Sequence, residues 1–357
     1  MHLTSLTAEG FRCLEPLTFE PAPGVNILRG DNAQGKTSVL EAVLFLVTAR
    51  SHRTNTEREL VQRDAEGFRI RGAFQRSDRP LQMEVNWWRN AKRFKVNGVI
   101  QDRVSDILGK VNVVFFAPED VALIRGAGSL RRRFLDMELS QLSSRYLHAL
   151  QRYRESLRQR NELLRSEKAD EALLDVWDAQ LVQHGAVLIE ERTRFVEDLN
   201  EHARQAHACI ADGEVMGLAY APDVSLETGV EVALRKARHR DIKRGATNRG
   251  PHRDDLELVV GDRPARNYAS QGQQRTAALA LKLAEVALIQ ARTGEYPLLM
   301  LDDVLSELDA KRSRRLLEAV PAGVQCILTT TENDGGNPAF EAADAQFIID
   351  GGCLARR

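Results

Sequence analysis

Hydrophobic and polar positions change their period twice along the chain. Up to about residue 125 the apolar positions come in short runs. Val25-Asn26-Ile27-Leu28 is a buried strand, Met83-Glu84-Val85-Asn86-Trp87 alternates, and Val111-Asn112-Val113-Val114-Phe115-Phe116-Ala117 is a buried strand that stops at Pro118. Phe94-Lys95-Val96-Asn97-Gly98-Val99-Ile100 carries Asn-Gly between apolar residues, a hairpin signal. From about 126 to 210 the spacing becomes three and four. Leu139, Leu142, Tyr146, Leu150, Tyr153, Leu157 and Leu164 predict one long helix with a continuous apolar face. After a break at Ser166 to Asp170, a second face of Leu173, Val176, Trp177, Leu181, Leu188, Phe195 and Leu199 predicts that the chain folds back as an antiparallel helical hairpin or small bundle. Asp212-Gly213 opens the second change, back to short strands. The expected organisation is therefore α/β, with 1–125 and 215–357 as two parts of one head and 126–214 as a helical arm inserted between them.

Between the strand Val25 to Leu28 and the helix Ser38 to Leu46 stand Gly30-Asp31-Asn32-Ala33-Gln34-Gly35-Lys36-Thr37, which fit G-x-x-x-x-G-K-[ST] in the strand-loop-helix setting that the motif requires. In that setting backbone N–H groups and the positive end of the helix dipole point at an anion. Gly30 and Gly35 let the backbone come close to phosphate, Lys36 reaches the β and γ phosphates, and the Thr37 hydroxyl ligates Mg²⁺. Leu298-Leu299-Met300-Leu301-Asp302-Asp303 is an apolar run ending in two carboxylates. Alone it is a buried strand and a polar turn. Beside a phosphate loop, Asp302 is a second ligand for a nucleotide-bound Mg²⁺, and Asp303 is placed to orient or deprotonate an attacking water. Lys36 and Asp302 lie far apart in sequence, unlike the compact arrangement of small kinases and GTPases, so the nucleotide-binding head is expected to be assembled from both chain ends.

Ser270-Gln271-Gly272-Gln273-Gln274 opens a helix and admits two readings. S-x-x-Q is a capping box, in which Ser270 and Gln273 each satisfy an amide of the other. Gly272 gains nothing from capping and costs roughly a kcal/mol in a helical turn unless the backbone must approach something, such as a γ-phosphate.

Charge changes the picture only by its location. Lys and Arg number 50 against 51 Asp and Glu, so the chain is near neutral. Yet Arg125 to Arg165 holds ten arginines against four acids, and Arg235 to Arg253 holds eight basic residues against Asp241 alone. A solvated helix face is the usual meaning of such charges, but the guanidinium fork also suits phosphate oxygens. On that second reading Arg131, Arg132, Arg152, Arg154, Arg238, Arg240, Lys243 and Arg244 are the candidate contacts to DNA phosphates, without base readout. Four cysteines, Cys13, Cys209, Cys326 and Cys353, are too scattered for a metal site or disulfide framework. No signal-like N-terminus and no apolar run near ~18 residues is present, so a cytoplasmic protein without membrane contact is expected.

The order of the phosphate loop, the helical insertion, Ser270 to Arg275, Leu298 to Asp303 and Ser306-Glu307-Leu308-Asp309 resembles the ABC-type ATPase heads of the SMC class. Gly10-Phe11-Arg12, Arg50-Ser51-His52-Arg53, Phe115-Phe116-Ala117-Pro118-Glu119-Asp120, Arg131-Arg132-Arg133-Phe134-Leu135-Asp136 and Gly250-Pro251-His252-Arg253-Asp254-Asp255 resemble, over essentially the full length, the RecF family within that class. The resemblance implies that Ser270, Gln271, Gly272 and Gln273 are a signature contacting ATP held by a second subunit, that Ser306 and Asp309 belong to a loop crossing the dimer interface, and that two chains sandwich two ATP molecules. It also implies weak DNA-stimulated ATP hydrolysis, a homodimer in the ATP state, and gap repair and the SOS response with RecR as partner in the RecO and RecA pathway. Pro118-Glu119-Asp120 stands where many such heads carry a glutamine near the metal, and Thr329-Thr330-Thr331 where many carry a histidine. Two other classes fit the phosphate loop less well. A transporter's energising subunit lacks a membrane-coupling segment here, and a small-molecule phosphotransferase lacks the Ser270 motif.

Overall fold

The computed structural model describes residues 1–77, 79–166, 170–211, 213–307, 310–331, 340 and 343–357. In chain order the strands and helices are β1 (His2–Glu9), β2 (Leu17–Phe19), β3 (Val25–Arg29), α1 (Lys36–Thr48), β4 (Gly67–Gln75), β5 (Pro80–Trp88), β6 (Ala91–Val96), β7 (Val99–Gln101) and β8 (Val113–Phe116). There follow α2 (Ala122–Arg125), α3 (Gly128–Leu142), α4 (Ser144–Leu164), α5 (Glu171–Ile210), β9 (Met216–Ala221), α6 (Val230–Arg244), β10 (Asp255–Val260), β11 (Arg263–Pro264) and α7 (Ala265–Tyr268). The chain ends with α8 (Gln271–Thr293), β12 (Leu298–Leu301), α9 (Ala310–Ala319), β13 (Cys326–Thr330), β14 (Ala345–Asp350) and β15 (Cys353–Arg356).

Packing divides the chain into two compact units. The first comprises 1–120, 209–212 and 279–357, the second 121–208 and 213–278. The first unit is thus assembled from both chain ends. It contains an antiparallel sheet in the order β2-β1-β4-β5-β6-β7 and a second sheet in the order β15-β14-β3-β13-β12-β8, parallel except for β15. Helix α1 packs against β4 and β5 of one sheet and against β8 and β13 of the other. This explains why Val39 to Val47 is apolar on every side, apart from Glu41, and buried throughout. The Asn97-Gly98 turn closes β6 on β7 with both residues at positive φ, 49° and 80°, which a two-residue hairpin turn with strand-matching twist requires.

In the second unit the expected continuous helix is two helices. Ser143 is extended, and its hydroxyl accepts a hydrogen bond from the Tyr146 amide at 3.1 Å, capping α4. The Ser-Ser pair offers a local cap that competes with helix continuation, which side-chain spacing alone does not register. The boundary near 214 also differs from expectation, because 213–278 clusters with the helices. The cause is a set of buried arginines. Arg192 of α5 reaches Asp136 at 2.8 Å, Asp254 at 2.7 Å and the Tyr146 hydroxyl at 3.0 Å. Arg160 of α4 reaches Asp178 at 2.5 Å and Asp241 at 2.9 Å. Both guanidinium groups are almost wholly buried. They tie α3, α4 and α5 to α6 and to the Gly250-to-Asp255 segment that leads into β10. Among the described residues no helix is long and apolar enough to cross a membrane.

Candidate nucleotide-binding site

The site lies in the first unit, where the parallel neighbours β3, β13 and β12 end on the same edge of their sheet. Crevices outside the carboxyl ends of parallel strands are where α/β folds bind ligands. From β3 the chain passes through Gly30 to Gly35 into α1, whose start has no side-chain cap. Amide donors are therefore left facing the loop, the arrangement that accepts an anion. Ala33 and Gly35 hold the loop with φ of 65° and 114°. The glycines have a further reason beyond phosphate. A Cβ on Gly30 would lie 2.2 Å from the Ile349 carbonyl oxygen of β14, and one on Gly35 would press on Leu14 and Ile349. The Gln34 side chain likewise faces the β14–β15 turn, its Oε1 accepting from the Gly351 amide at 2.6 Å.

Lys36 is 7% exposed and donates to the carbonyls of Gly30 at 2.6 Å and Asp31 at 2.8 Å. Burial lowers its pKa, and Asp303, Asp302 and Asp31 offset only part of that. The Thr37 hydroxyl donates to Asp302 Oδ1 at 3.0 Å, and the Thr329 hydroxyl donates to the same oxygen at 2.7 Å. Thr329 Oγ1 in turn accepts from the Asp303 amide at 2.8 Å. Burial raises the Asp302 carboxyl above its usual range, against the pull of the two threonine hydroxyls. Asp303 sits at φ 49°, and its buried Oδ1 has no hydrogen-bond partner among the described residues. A non-glycine residue in that region and an unpaired buried carboxylate oxygen each cost free energy, and such costs gather at functional sites. Lys36, Thr37, Asp302 and Asp303 are thus brought together, and Thr329 joins them.

Four further residues were not among the candidates. Glu41, fully buried on α1, accepts two hydrogen bonds from Arg12 at 2.7 and 2.8 Å and a third from Ser51. Burial pushes the Glu41 carboxyl up, but Arg12 and Ser51 outweigh it and hold it below the usual carboxylate range. Ser51 also accepts from the amides of Arg53 and Thr54, fixing the turn that carries His52. The His52 ring lies 4.4 Å from the Phe115 ring, and burial lowers its pKa against the opposing fields of Glu41, Asp302 and Glu119. A lone acid inside an otherwise apolar helix is the sequence signal for this group, because a buried carboxylate needs a partner. Of the acids after Pro118, Asp120 is engaged with the Ala117 amide at 2.9 Å, whereas Glu119 is exposed.

Residues 2–347 match the family described as RecF/RecN/SMC N terminal domain. A DNA replication and repair protein RecF of Halalkalibacterium halodurans is 44% identical over 94% of this chain and 94% of the relative. Its counterpart in Pediococcus pentosaceus is 39% identical over 99% and 98%. The chain belongs to the RecF family. A solved structure of the recombination mediator protein RecF with ATP in the RecFOR pathway superposes with a TM-score of 0.92 at 33% identity, covering 100% of this chain and 97% of that one. An SMC head bound to the C-winged helix domain of ScpA, at 16% identity and TM-score 0.62, shares the fold. The expected ABC-type head with a helical insertion is therefore the fold that RecF and SMC heads have in common.

Of the remaining RecF-type candidates, the start of α8 and the basic residues lie in the second unit and Ser306 in the first. Ser270 and Gln273 form the reciprocal capping box, with amide-to-side-chain distances of 2.7 and 3.2 Å, and Gln273 Nε2 also donates to Glu214 at 2.6 Å. Ser270 and Gln271 are exposed and Gly272 is half-buried. The Ser306 hydroxyl donates to the Asp303 backbone carbonyl at 2.8 Å, which ties that loop to the residue after Asp302. Asp309 lies outside the described residues. Among the basic candidates Arg131 requires correction. It is 3% exposed and gives both ends of its fork to Asp255, at 2.6 and 2.8 Å, because the helix face that carries it packs on β10. Arg132 donates to the Asp254 carbonyl, Arg154 to Asp136, and Arg238 to Asp175 and Asp178, so these three are partly committed inside the protein. Arg152, Arg240, Lys243 and Arg244 are exposed.

Proposed function

We propose that this chain is an ATP-dependent DNA-binding protein of DNA replication and repair, in which ATP is a switch for dimerisation and hydrolysis resets it. The observation that carries the reading is the chain of hydrogen bonds Thr37–Asp302–Thr329–Asp303 beside the glycine loop. It supplies what a nucleoside triphosphate needs at one place: amide donors and an ammonium for phosphate oxygens, two hard oxygen ligands for Mg²⁺, and a second carboxylate with an unspent oxygen. Thr37 and Asp302 would hold Mg²⁺, whose contribution is to neutralise charge on the phosphate oxygens. Gly30, Asp31, Asn32, Ala33, Gly35 and Lys36 would cradle the phosphates, and Asp303 would orient or deprotonate the attacking water. Thr329, which donates to the Asp302 carboxylate and accepts from the Asp303 amide, stands in the position where other heads use a histidine.

Ser270, Gln271, Gly272 and Gln273 would meet the γ-phosphate of ATP held by a second copy, with Ser306 and Asp309 at that interface. The capping box does not conflict with this, because the Ser270 oxygen accepts the Gln273 amide while its O–H remains available to a phosphate oxygen. Moving a pair of heads from mostly open to mostly closed takes on the order of 5 kcal/mol, within reach of a few charge-assisted bonds per site. The closed dimer would bind DNA through exposed bases of the second unit, above all Arg240, Lys243 and Arg244 on α6 and Arg152 on α4, without reading sequence. Membership of the RecF family supports a role in gap repair and the SOS response, with RecR as partner and RecA loading as the outcome. Sizing the protein with ATP, with ADP and without nucleotide, each with and without duplex DNA, tests the reading. ATP alone is expected to double the mass, and DNA to bind that form. A mass unchanged by ATP refutes the switch.

A further inference from the structure

The hairpin β14–β15 reaches the phosphate loop at three points. Its two-residue turn, Gly351-Gly352, has φ of 52° and 82°, the primed geometry that favours glycine at both positions. Both turn amides point at Gln34. Gly351 donates to the side-chain Oε1 at 2.6 Å, and Gly352 donates to the backbone carbonyl at 3.0 Å. The Gly352 carbonyl accepts from the Glu15 amide at 3.2 Å, and a Cβ on Gly352 would stand 2.1 Å from the Cys13 carbonyl oxygen. Shortly before the turn, β14 closes over the loop glycines, with the Ile349 carbonyl in the space a Gly30 side chain would need.

The loop needs such support. Ala33 is held at φ 65° and Gly35 at 114°, and a left-handed non-glycine residue costs roughly 1–2 kcal/mol. Gln34 lies between these two residues. Its side-chain oxygen is spent on the hairpin turn, although the motif places no demand on this position.

We propose that the β14–β15 turn is a latch for the phosphate loop, and that Gln34 is the positioning residue through which it acts, preorganising the amides of residues 31–36 for a triphosphate. The proposal rests on the reading of Gly30 to Thr37 as a phosphate cradle. Preorganisation raises affinity by removing the cost of ordering the loop when ligand arrives.

The test uses the full chain, with Gln34→Met, which keeps the length and loses the acceptor, and Gln34→Glu, which keeps an acceptor for the Gly351 amide. Two quantities are read: amide hydrogen exchange of residues 31–36 without nucleotide, and the dissociation constant of a fluorescent ATP analogue. Gln34→Met is expected to exchange faster in that window and to bind about tenfold more weakly, with a melting temperature within about 3 °C of the parent. Gln34→Glu is expected to restore slow exchange. Unchanged exchange in Gln34→Met overturns the latch, whether affinity is kept or lost, since a loss of affinity without loosening would mean direct contact with nucleotide. Absence of nucleotide binding in the parent protein would instead defeat the cradle reading itself.

Discussion

Thr37 and Asp302 stand 265 residues apart in sequence, and the hydroxyl of one donates to the carboxylate of the other at 3.0 Å. That bond joins the two chain ends at the point where a hard cation would sit. It also separates the roles of the paired acids, since Asp302 is engaged by two hydroxyls whereas Asp303 keeps an unpartnered oxygen among the described residues. Asp303→Asn is therefore expected to leave ATP binding intact and to slow hydrolysis by about a hundredfold or more. The ATP-dependent dimer should then outlive that of the parent protein. Phosphate release and sizing on the same samples check both, and hydrolysis at the parental rate removes Asp303 from the reaction.

Ser270 separates a structural role from a shared site. As an N-cap it stabilises α8 by about 1 kcal/mol, which Asn supplies nearly as well. As a phosphate contact across a dimer it cannot be replaced by a bulky cation. Ser270→Arg is expected to bind ATP and remain monomeric, and Ser270→Asn to keep the melting temperature of the parent protein. Lys36→Arg should lose ATP-driven dimerisation through the other half of the site. Sizing in ATP, with thermal melting for Ser270→Asn, reads all three, and a normal dimer of Ser270→Arg excludes the cross-subunit contact.

The phosphate loop, the Asn97-Gly98 hairpin and the β12 carboxylates were legible because each depends on local chemistry: a glycine where φ is positive, an apolar run of strand length, a hydroxyl after a lysine. The arginines were not. Arg131, Arg160 and Arg192 look in sequence like their exposed neighbours, yet each is buried against aspartates that come from other parts of the chain, Asp255, Asp178 with Asp241, and Asp136 with Asp254. Spacing places a residue on a helix face but does not say what that face packs against. The helix break at Ser143 was hidden for a related reason, since the apolar spacing continues from Leu142 to Tyr146 while the backbone follows a serine cap. Glu41 was visible as an acid within an apolar helix, but its partners Arg12 and Ser51 came together only in the fold.

Burial sorts the basic residues into two experimental classes. Arg240→Ala with Lys243→Ala on exposed α6 is expected to lower DNA affinity alike for unrelated sequences. The double variant should also reduce the slope of log affinity against log salt by about 2, near 0.9 for each phosphate that is no longer neutralised. Its thermal stability should not change. Arg131→Gln is expected to do the reverse, leaving the salt slope alone and destabilising the protein by about 1.5–3 kcal/mol, because the charge-assisted hydrogen bonds to the part-exposed Asp255 are lost. A reduced salt slope in Arg131→Gln would return that residue to the DNA surface.

The last prediction concerns pH and the Gly250-to-Asp255 segment. His252 is wedged between Tyr153 and Thr247, its Nδ1 2.7 Å from the tyrosine hydroxyl and its Nε2 3.1 Å from a carbonyl. The carbonyl can only accept, so Nε2 carries the proton and Nδ1 accepts from Tyr153. Burial lowers the pKa of His252 to about 4, with Arg253 and Arg132 adding to the effect and the Thr247 carbonyl and Asp223 opposing it. Between the unfolded value near 6.5 and about 4, the unfolded chain binds a proton that the folded chain refuses. Stability contributed by the neutral ring is therefore complete above about 6.5 and is lost as pH falls through this window, on the order of 3 kcal/mol at its lower end. Denaturant unfolding at pH 7 and pH 5 should give a smaller difference for His252→Gln than for the parent protein. Equal differences in the two proteins would show that His252 titrates alike when folded and unfolded.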